Sequence, residues 1–279
     1  MSSRLIAGNE EVDLDNDSPL IGLADVPLQT LEETLNSPVL ALLEIKANDF
    51  KVILASAKRK IKKLKKAKQL SPLSEEEAKA INLYTQETNL YQKLNELLRV
   101  RSRSELKPLF PYLKLLLTAL YKLPPIKTTV YRGVHANLAE FYPEGRDFVW
   151  WGFTSTSANI KHIQSFLGTT GKRALFAIAV NEALDIQRYS AIGAEQERLL
   201  LPGSCFEVLG VLQQGPLTII QLKQDPDEDS LVAGFSFQTP SADGMHCLPS
   251  PSLSFCFFVR RHPPLFSNFV RSCDLHTCG

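Results

Sequence analysis

Apolar residues recur at helical spacing through the first half of the chain. Residues 39–69 contain neither glycine nor proline, and their apolar positions fall on one face, which predicts a single long helix. Pro27 stands at the first turn of a shorter preceding helix. The stripe of the long helix consists of Leu42, Leu43, Phe50, Ile53, Leu54, Ala57, Ile61 and Leu64.

Two further helices are predicted before the chain changes character. Ser74, followed three residues later by Glu77, forms a capping box, which predicts a helix from there to about residue 100. The segment 104–123 carries leucines at helical spacing and is followed by Pro124-Pro125, which ends that helix. The first half of the chain is therefore predicted to be α-helical.

Runs rich in β-branched and aromatic residues then alternate with loops, which is typical of strands. The sequence therefore predicts an α+β fold in which a helical region precedes a multi-stranded region. The predicted strands are 128–134, 148–155, 174–180, 199–201, 206–212 and 217–222.

These patterns predict four segments. Residues 1–18, which carry five acidic residues among small and polar ones, are expected to be a mobile acidic arm. Residues 19–123 form the helical region and 124–223 the β region, the two making one domain. Residues 224–279 lack clean periodicity and are expected to be an irregular or disordered tail.

Composition narrows the class of protein. With 279 residues, 44% hydrophobic residues, 22% charged residues and a net charge of +1, the chain matches a globular protein with no global attraction to nucleic acid or membranes. Neither a signal-peptide pattern nor an apolar run of membrane-spanning length is evident. Together with five cysteines that lack metal-ligand spacing, this predicts a cytoplasmic monomer with reduced thiols, secretion by an unrecognised route being the alternative.

A dense run of lysines and one arginine, residues 58–68, has two interpretations. It is either a patch for nucleic acid or a solvent-exposed face that places cations near a helix C-terminus. Ile61 and Leu64 interrupt the run at core spacing, which favours the exposed face, so no nucleic-acid partner is expected.

Candidate chemistry is concentrated in three motifs of the β region. Arg132 stands among apolar residues and is followed by Gly133, where a ligand is able to approach the backbone closely. Ser155 begins a Ser-Thr-Ser sequence at the end of a strand. Glu195 and Glu197 point to one face if the strand begins at Glu195; if it begins one residue later, both are ordinary solvent-facing loop residues.

In this order the three motifs resemble the arginine, serine and Glu-X-Glu signature of mono-ADP-ribosyltransferases of the cholera-toxin-like and vertebrate ecto-enzyme type. The resemblance extends over roughly residues 19–223 and includes Tyr131-Arg132-Gly133, 151–157 and Leu199-Leu200-Leu201-Pro202. It implies helices packed on a split β-sandwich, with a cleft that holds NAD as co-substrate.

The resemblance also implies a role for each catalytic candidate. Arg132 would contact a phosphate of NAD, and Ser155 would hold the geometry around the nicotinamide ribose and the catalytic glutamate. Glu197 would accept the ribose 2′-hydroxyl and stabilise the oxocarbenium-like centre formed as the nicotinamide bond breaks. Glu195 would orient or deprotonate the acceptor, and a glutamate there marks an acceptor protein with an exposed arginine.

The segment 158–173 matches the loop that closes over nicotinamide in this family. Phe166 would stack on the ring, or else be a helix-face aromatic buried against the sheet. Arg173, or Lys172, would add a second phosphate contact or be a solvated charge at the start of a strand. Tyr189 belongs to the loop that would present the acceptor and is a possible docking aromatic. No metal site is predicted, and His135 and His162 are interpreted as structural.

Three other functions remain open at this stage. An NAD glycohydrolase needs the same Arg132, Ser155 and Glu197, so the sequence separates it poorly from a transferase. A catalytically silent NAD-binding or interaction module is a second alternative, although it has no chemical need for Glu197. A nucleic-acid-binding role for the basic run is the third.

Overall fold

A computed structural model describes residues 20–99, 104–193 and 196–225. The predicted acidic arm, most of the predicted tail and Glu195 therefore lie outside the described residues. None of the helices in the described part of the chain is both long and apolar enough to cross a membrane.

In the described part of the chain, six α-helices precede the strands and a seventh lies among them. Their bounds are α1 Leu31–Thr34, α2 Ser37–Leu42, α3 Ala47–Lys66, α4 Glu75–Tyr84, α5 Asn89–Arg99, α6 Phe110–Tyr121 and α7 Ile160–Leu167. The capping box at Ser74 and Glu77 is present and begins α4. The predicted helix 104–123 begins later than expected, with a 3-10 turn at Lys107–Leu109 before α6.

The predicted long helix is broken, and the reason is a backbone motif. Glu44 adopts a left-handed φ of 55°. The amide of Ile45 donates to the Leu40 carbonyl and that of Glu44 donates to the Ala41 carbonyl, at 2.9 and 3.1 Å. This pair of bonds is the Schellman motif that normally uses glycine. The prediction of one helix over 39–69 is therefore wrong, because a non-glycine residue ends α2.

The predicted helix from 74 to 100 is also two helices. It stops at Thr85, whose hydroxyl donates to the Asn82 carbonyl at 2.9 Å, and it resumes at Asn89. The interruption allows Thr85 to contact the β region, as described below.

Seven strands form the β region. Their bounds are β1 Pro125–Val134, β2 Asp147–Trp150, β3 Thr154–Ser157, β4 Arg173–Asp185, β5 Glu197–Leu200, β6 Ser204–Gln214 and β7 Leu217–Gln224. The run predicted as one strand over 148–155 is two strands: β2 pairs with β6, whereas β3 pairs with β1 and β5. Gln224, assigned to the predicted tail, ends β7.

The sheet order is β1-β3-β5-β4-β7-β6-β2, with an additional pairing of β1 with β4. Strand β4 is shared, because it pairs with β1 and β7 along most of its length and with β5 at Leu184 and Asp185. The structure therefore confirms the predicted α+β fold, with N-terminal helices and a split β-structure.

The described residues contain two large hydrophobic cores. One unites the leucines of α3 to α6 with residues of the β region, including Phe153, Leu199 and Leu201. The other lies within the β region, around the aromatic side chains of Trp150 and Phe176. Since the first core contains residues of both regions, the helices position one side of the β region directly.

Candidate active site

Three neighbouring strands bring the sequence motifs together. Tyr131 of β1 is paired with Ser157 of β3, and Ser157 is paired in turn with Glu197 of β5. Adjacent strands lie about 4.8 Å apart, so this row places the arginine-bearing strand about 10 Å from the glutamate-bearing strand, measured between backbones. Strand β3 therefore lies between the strand that carries Arg132 and the strand that carries Glu197.

Arg132, the residue after Tyr131, is held from β3. Its side chain is buried, and NH1 donates to the carbonyl oxygen of Ser155 at 3.0 Å. A guanidinium carries five donors in a rigid plane, and this bond helps to orient that plane.

Glu197 is the first residue of β5, and its exposed fraction is 0%. The interpretation of this residue as solvent-facing is therefore wrong. Strand β5 does not begin at Glu195 either, because Gln196 has a left-handed φ of 48° immediately before it. A non-glycine residue in this conformation is uncommon and marks the loop end as a constrained position.

The two serines of the Ser-Thr-Ser sequence lie opposite different residues of β5, and the predicted role of Ser155 stays a prediction. Ser155 and Ser157 point to the same face of β3, since they are two residues apart. Ser157, not Ser155, lies directly opposite Glu197, and such cross-strand pairs have Cβ atoms about 5 Å apart. Both serines are buried. Ser157 was not singled out from the sequence, because the strand register that selects it is not visible there.

The hydroxyl that contacts the glutamate comes from a loop. Oγ of Ser190 lies 3.2 Å from Oε2 of Glu197, and both residues are fully buried. Ser190 follows Tyr189 in the loop that is predicted to present the acceptor, and the sequence predicts no role for its side chain. The residues around Ser190 in the sequence give no signal for such a contact.

The loop that carries Ser190 is fastened to the helical region. The Asn82 side chain donates to the Tyr189 carbonyl at 2.8 Å, and the Ala191 amide donates to the Thr85 hydroxyl at 2.7 Å. Nζ of Lys60, on α3, donates to the carbonyl of Ser190. Thr85, the residue that ends α4, thus contributes one of these contacts.

Lys60 is the exception within the basic run. It is half-buried beside the loop, and this burial lowers the pKa of its ammonium group. The prediction of an exposed lysine face is confirmed for the neighbours Lys58, Lys62, Lys65 and Lys66, and it is wrong for Lys60.

Tyr189 does not face an acceptor. It is buried in the core shared by the helices, and its hydroxyl donates to the carbonyl of Leu70 at 3.0 Å. Burial raises the pKa of this hydroxyl, which keeps it a neutral donor. Tyr189 is therefore an anchor of the loop, and its interpretation as a docking aromatic is wrong.

Gly133 packs against α7. A Cβ atom on Gly133 would lie 2.8 Å from Cγ of Leu167 and 3.0 Å from Cγ2 of Ile163. The glycine thus has a packing reason, separate from the expected approach of a ligand to its backbone.

Half of the segment predicted to be a closing loop, 158–173, is helix α7. Phe166 lies on α7, partly exposed, with its ring centroid 5.7 Å from that of His135. Arg173 begins β4, and its NH1 donates to the Gly171 carbonyl at 3.0 Å. These positions leave the predicted roles of Phe166 and Arg173 as proposals.

Within the described ranges, no group of three or more histidine, cysteine, aspartate or glutamate residues is placed to bind a metal ion. The candidate site instead combines the buried carboxylate of Glu197, the buried guanidinium of Arg132 and buried serine hydroxyls. A carboxylate in such surroundings interacts strongly with positive charge because little water screens it. The arrangement places this carboxylate, the guanidinium and the hydroxyls on three neighbouring strands and on the loop that precedes β5.

The fold is similar to that of solved ADP-ribosyltransferase structures. The ADP-ribosyltransferase HopU1 of Pseudomonas syringae pv. Tomato DC3000 has 24% identity and a TM-score of 0.52, over 58% of this chain and 82% of that one. The eukaryotic mono-ADP-ribosyltransferase ART2.2 has 17% identity and a TM-score of 0.53, over 80% and 94%. A mutant of ART2.2 in complex with NADH has 19% identity and a TM-score of 0.50, over 71% and 88%.

The family model of NAD:arginine ADP-ribosyltransferases matches residues 28–230. The chain belongs to this family, as the three motifs predicted, and its co-substrate is NAD. No protein with curated annotation matches the sequence significantly.

Proposed function

We propose that the protein transfers ADP-ribose from NAD to an arginine side chain of an acceptor protein and releases nicotinamide. The observation that carries this proposal is the fully buried Glu197 carboxylate at the start of β5, beside the Ser190 hydroxyl and opposite Ser157. The family's description names arginine as the acceptor, and the relative with bound NADH supports a dinucleotide in the cleft.

Glu197 is assigned the central role. Loss of nicotinamide leaves positive charge at the ribose carbon, and a nearby carboxylate stabilises that charge as it does in glycoside hydrolysis. Complete burial makes this stabilisation larger than an exposed carboxylate would give. Ser157 lies next to Glu197 across the strands, and Ser155 holds the guanidinium of Arg132 through its carbonyl.

Arg132 is assigned a phosphate contact. A planar guanidinium is suited to bind phosphate oxygens in a bidentate manner, and the bond to Ser155 orients it in advance. Gly133 and Phe166 are assigned to the same cleft, the first through its backbone and the second through its ring. Arg173 is assigned a second phosphate contact.

Glu195 is assigned to the acceptor. A guanidinium has a pKa above about 12 and is a poor nucleophile until a carboxylate shares or removes a proton. This role is what distinguishes transfer to arginine from transfer to water, which needs Glu197 but not Glu195.

The test is nicotinamide release from NAD by the purified protein, measured with and without agmatine as a free-guanidine acceptor. We expect release that rises with agmatine and falls at least about 100-fold in Glu197→Gln, which keeps the shape of the buried side chain but removes its charge. The matched control is Glu182→Gln, since Glu182 is exposed on β4 and is expected to leave the rate unchanged.

Other outcomes would replace this proposal. Release that is indifferent to agmatine would indicate a glycohydrolase, and tight NAD binding without any release would indicate a silent module. Glu195→Gln separates transfer from hydrolysis: we expect it to abolish agmatine modification and to leave hydrolysis largely intact. Equal loss of both activities would exclude the role given to Glu195.

A further inference from the structure

The Ser190 hydroxyl has a defined direction. Its oxygen accepts the amide of Ile192 at 3.2 Å and lies 3.2 Å from Oε2 of Glu197. Because an amide only donates, the contact with Ile192 uses the Ser190 oxygen as an acceptor, and its single proton is donated to Oε2 of Glu197. The hydrogen bond therefore favours the ionised form of this glutamate.

Ser190 is held in place from three directions. The carbonyl of Ser190 itself accepts the Lys60 ammonium, and the residues on either side of it are bound by Asn82 and Thr85. The Tyr189 ring is buried in the shared core directly before it. A hydroxyl fixed on both flanks loses little conformational freedom when it bonds to a carboxylate.

We propose that Ser190 is a positioning residue, which orients the Glu197 carboxylate and keeps it ionised, and that Lys60, Asn82 and Thr85 hold Ser190 in that place. The inference rests on the proposed function of Glu197. It assigns to the helical region a task in catalysis, since all three holding residues lie on or directly after α3 and α4.

The first test compares Ser190→Ala, Ser190→Thr and the native protein in nicotinamide release. Hydrogen bonds to a charged group predict a 10- to 100-fold loss of kcat in Ser190→Ala, with the KM for NAD within about threefold. The acidic limb of the pH profile is expected to move to higher pH by about one unit, because the bond to the ionised form is lost. Ser190→Thr keeps a hydroxyl and is expected to recover most of both effects.

The matched control is Ser204→Ala. Ser204 is equally buried, and its hydroxyl donates to the Leu201 carbonyl at 2.7 Å. Its loss is expected to lower thermal stability without moving the acidic limb. If Ser204→Ala moves that limb as far as Ser190→Ala does, the effect of Ser190 is structural and the proposal is wrong.

A second measurement does not depend on activity. The 13C carboxyl signal of Glu197, assigned by comparison with Glu197→Gln, is titrated by NMR in the native protein and in Ser190→Ala. The charged groups described on the surrounding elements, Lys60, Arg132, Asp185 and Arg198, are present in both proteins, so the difference in pKa reports the serine. A higher pKa in Ser190→Ala supports the positioning role even if the native protein releases no nicotinamide, and an unchanged pKa overturns it.

Discussion

Replacing Gly133 by alanine is expected to destabilise the protein because α7 fills the space above this glycine. The new Cβ would lie 2.8 and 2.9 Å from two carbons of Leu167 and 3.0 Å from Ile163, and both neighbours are buried. The backbone of Gly133 is not in the left-handed region, so overpacking is the main cost. Overpacking of this kind costs about 1–3 kcal/mol, and about 2 kcal/mol lowers Tm by about 4–8 °C in a protein of this size.

A compensating substitution tests the cause. Leu167→Ala alone is expected to cost about 2–5 kcal/mol, because it leaves a cavity beneath α7. In the double variant the alanine at 133 occupies part of that cavity. Its loss of unfolding free energy is therefore expected to be smaller, by about 1 kcal/mol or more, than the sum of the losses in the two single variants. Thermal unfolding followed by circular dichroism measures all four proteins.

The control is Gly210→Ala, since a Cβ at Gly210 would have no neighbour within 4 Å. Its Tm is expected to stay the same or to rise slightly. Additive effects of the Gly133 and Leu167 changes would refute the packing argument. The KM for NAD separates the two roles of Gly133: if the double variant recovers stability but keeps a raised KM, the backbone of Gly133 also approaches the ligand.

Three further predictions concern the site. Lys60→Met is expected to lower the kcat of nicotinamide release by about three- to tenfold without raising the KM for NAD, because only the contact that holds the Ser190 carbonyl is lost. Lys60→Arg, assayed in the same way, should recover most of the rate. Tyr189→Phe is expected to cost about 1 kcal/mol in urea unfolding and to leave the KM for agmatine unchanged, and an unchanged stability would contradict the role of this hydroxyl as an anchor. Arg132→Lys is expected to raise the KM for NAD at least tenfold, as measured by initial rates, because an ammonium does not reproduce the planar fork.

Local signals in the sequence were enough for much of the fold. The capping box at Ser74 and the double proline after α6 correctly mark ends of helices, because both act through neighbouring residues. The breaks at Glu44 and Thr85 were missed, because neither residue is a typical helix terminator. Glu44 takes a conformation that usually belongs to glycine, and the end at Thr85 is accompanied by a bond to Ala191, far away in the sequence.

Some residues of the candidate site were also predictable from local sequence, and others depend on the tertiary structure. Arg132 and Glu197 were found because their charges stand out in strand-like sequence, and the structure places both on neighbouring strands around β3. Ser157 depends on strand register, and Ser190 depends on how the loop is anchored, so neither followed from local pattern. Lys60 was hidden within a run of similar lysines, of which it alone turns towards the loop carbonyl.

The contacts between the loop that carries Ser190 and the helices also determine when the site forms during folding. The bonds from Lys60, Asn82 and Thr85 span 130, 107 and 106 positions of the chain. Contacts between such distant positions close late, because the loop entropy must be overcome first. On refolding from urea, the helical circular dichroism signal is therefore expected to recover before nicotinamide release. The chain should pass through a compact stage that has formed its helices and does not yet release nicotinamide.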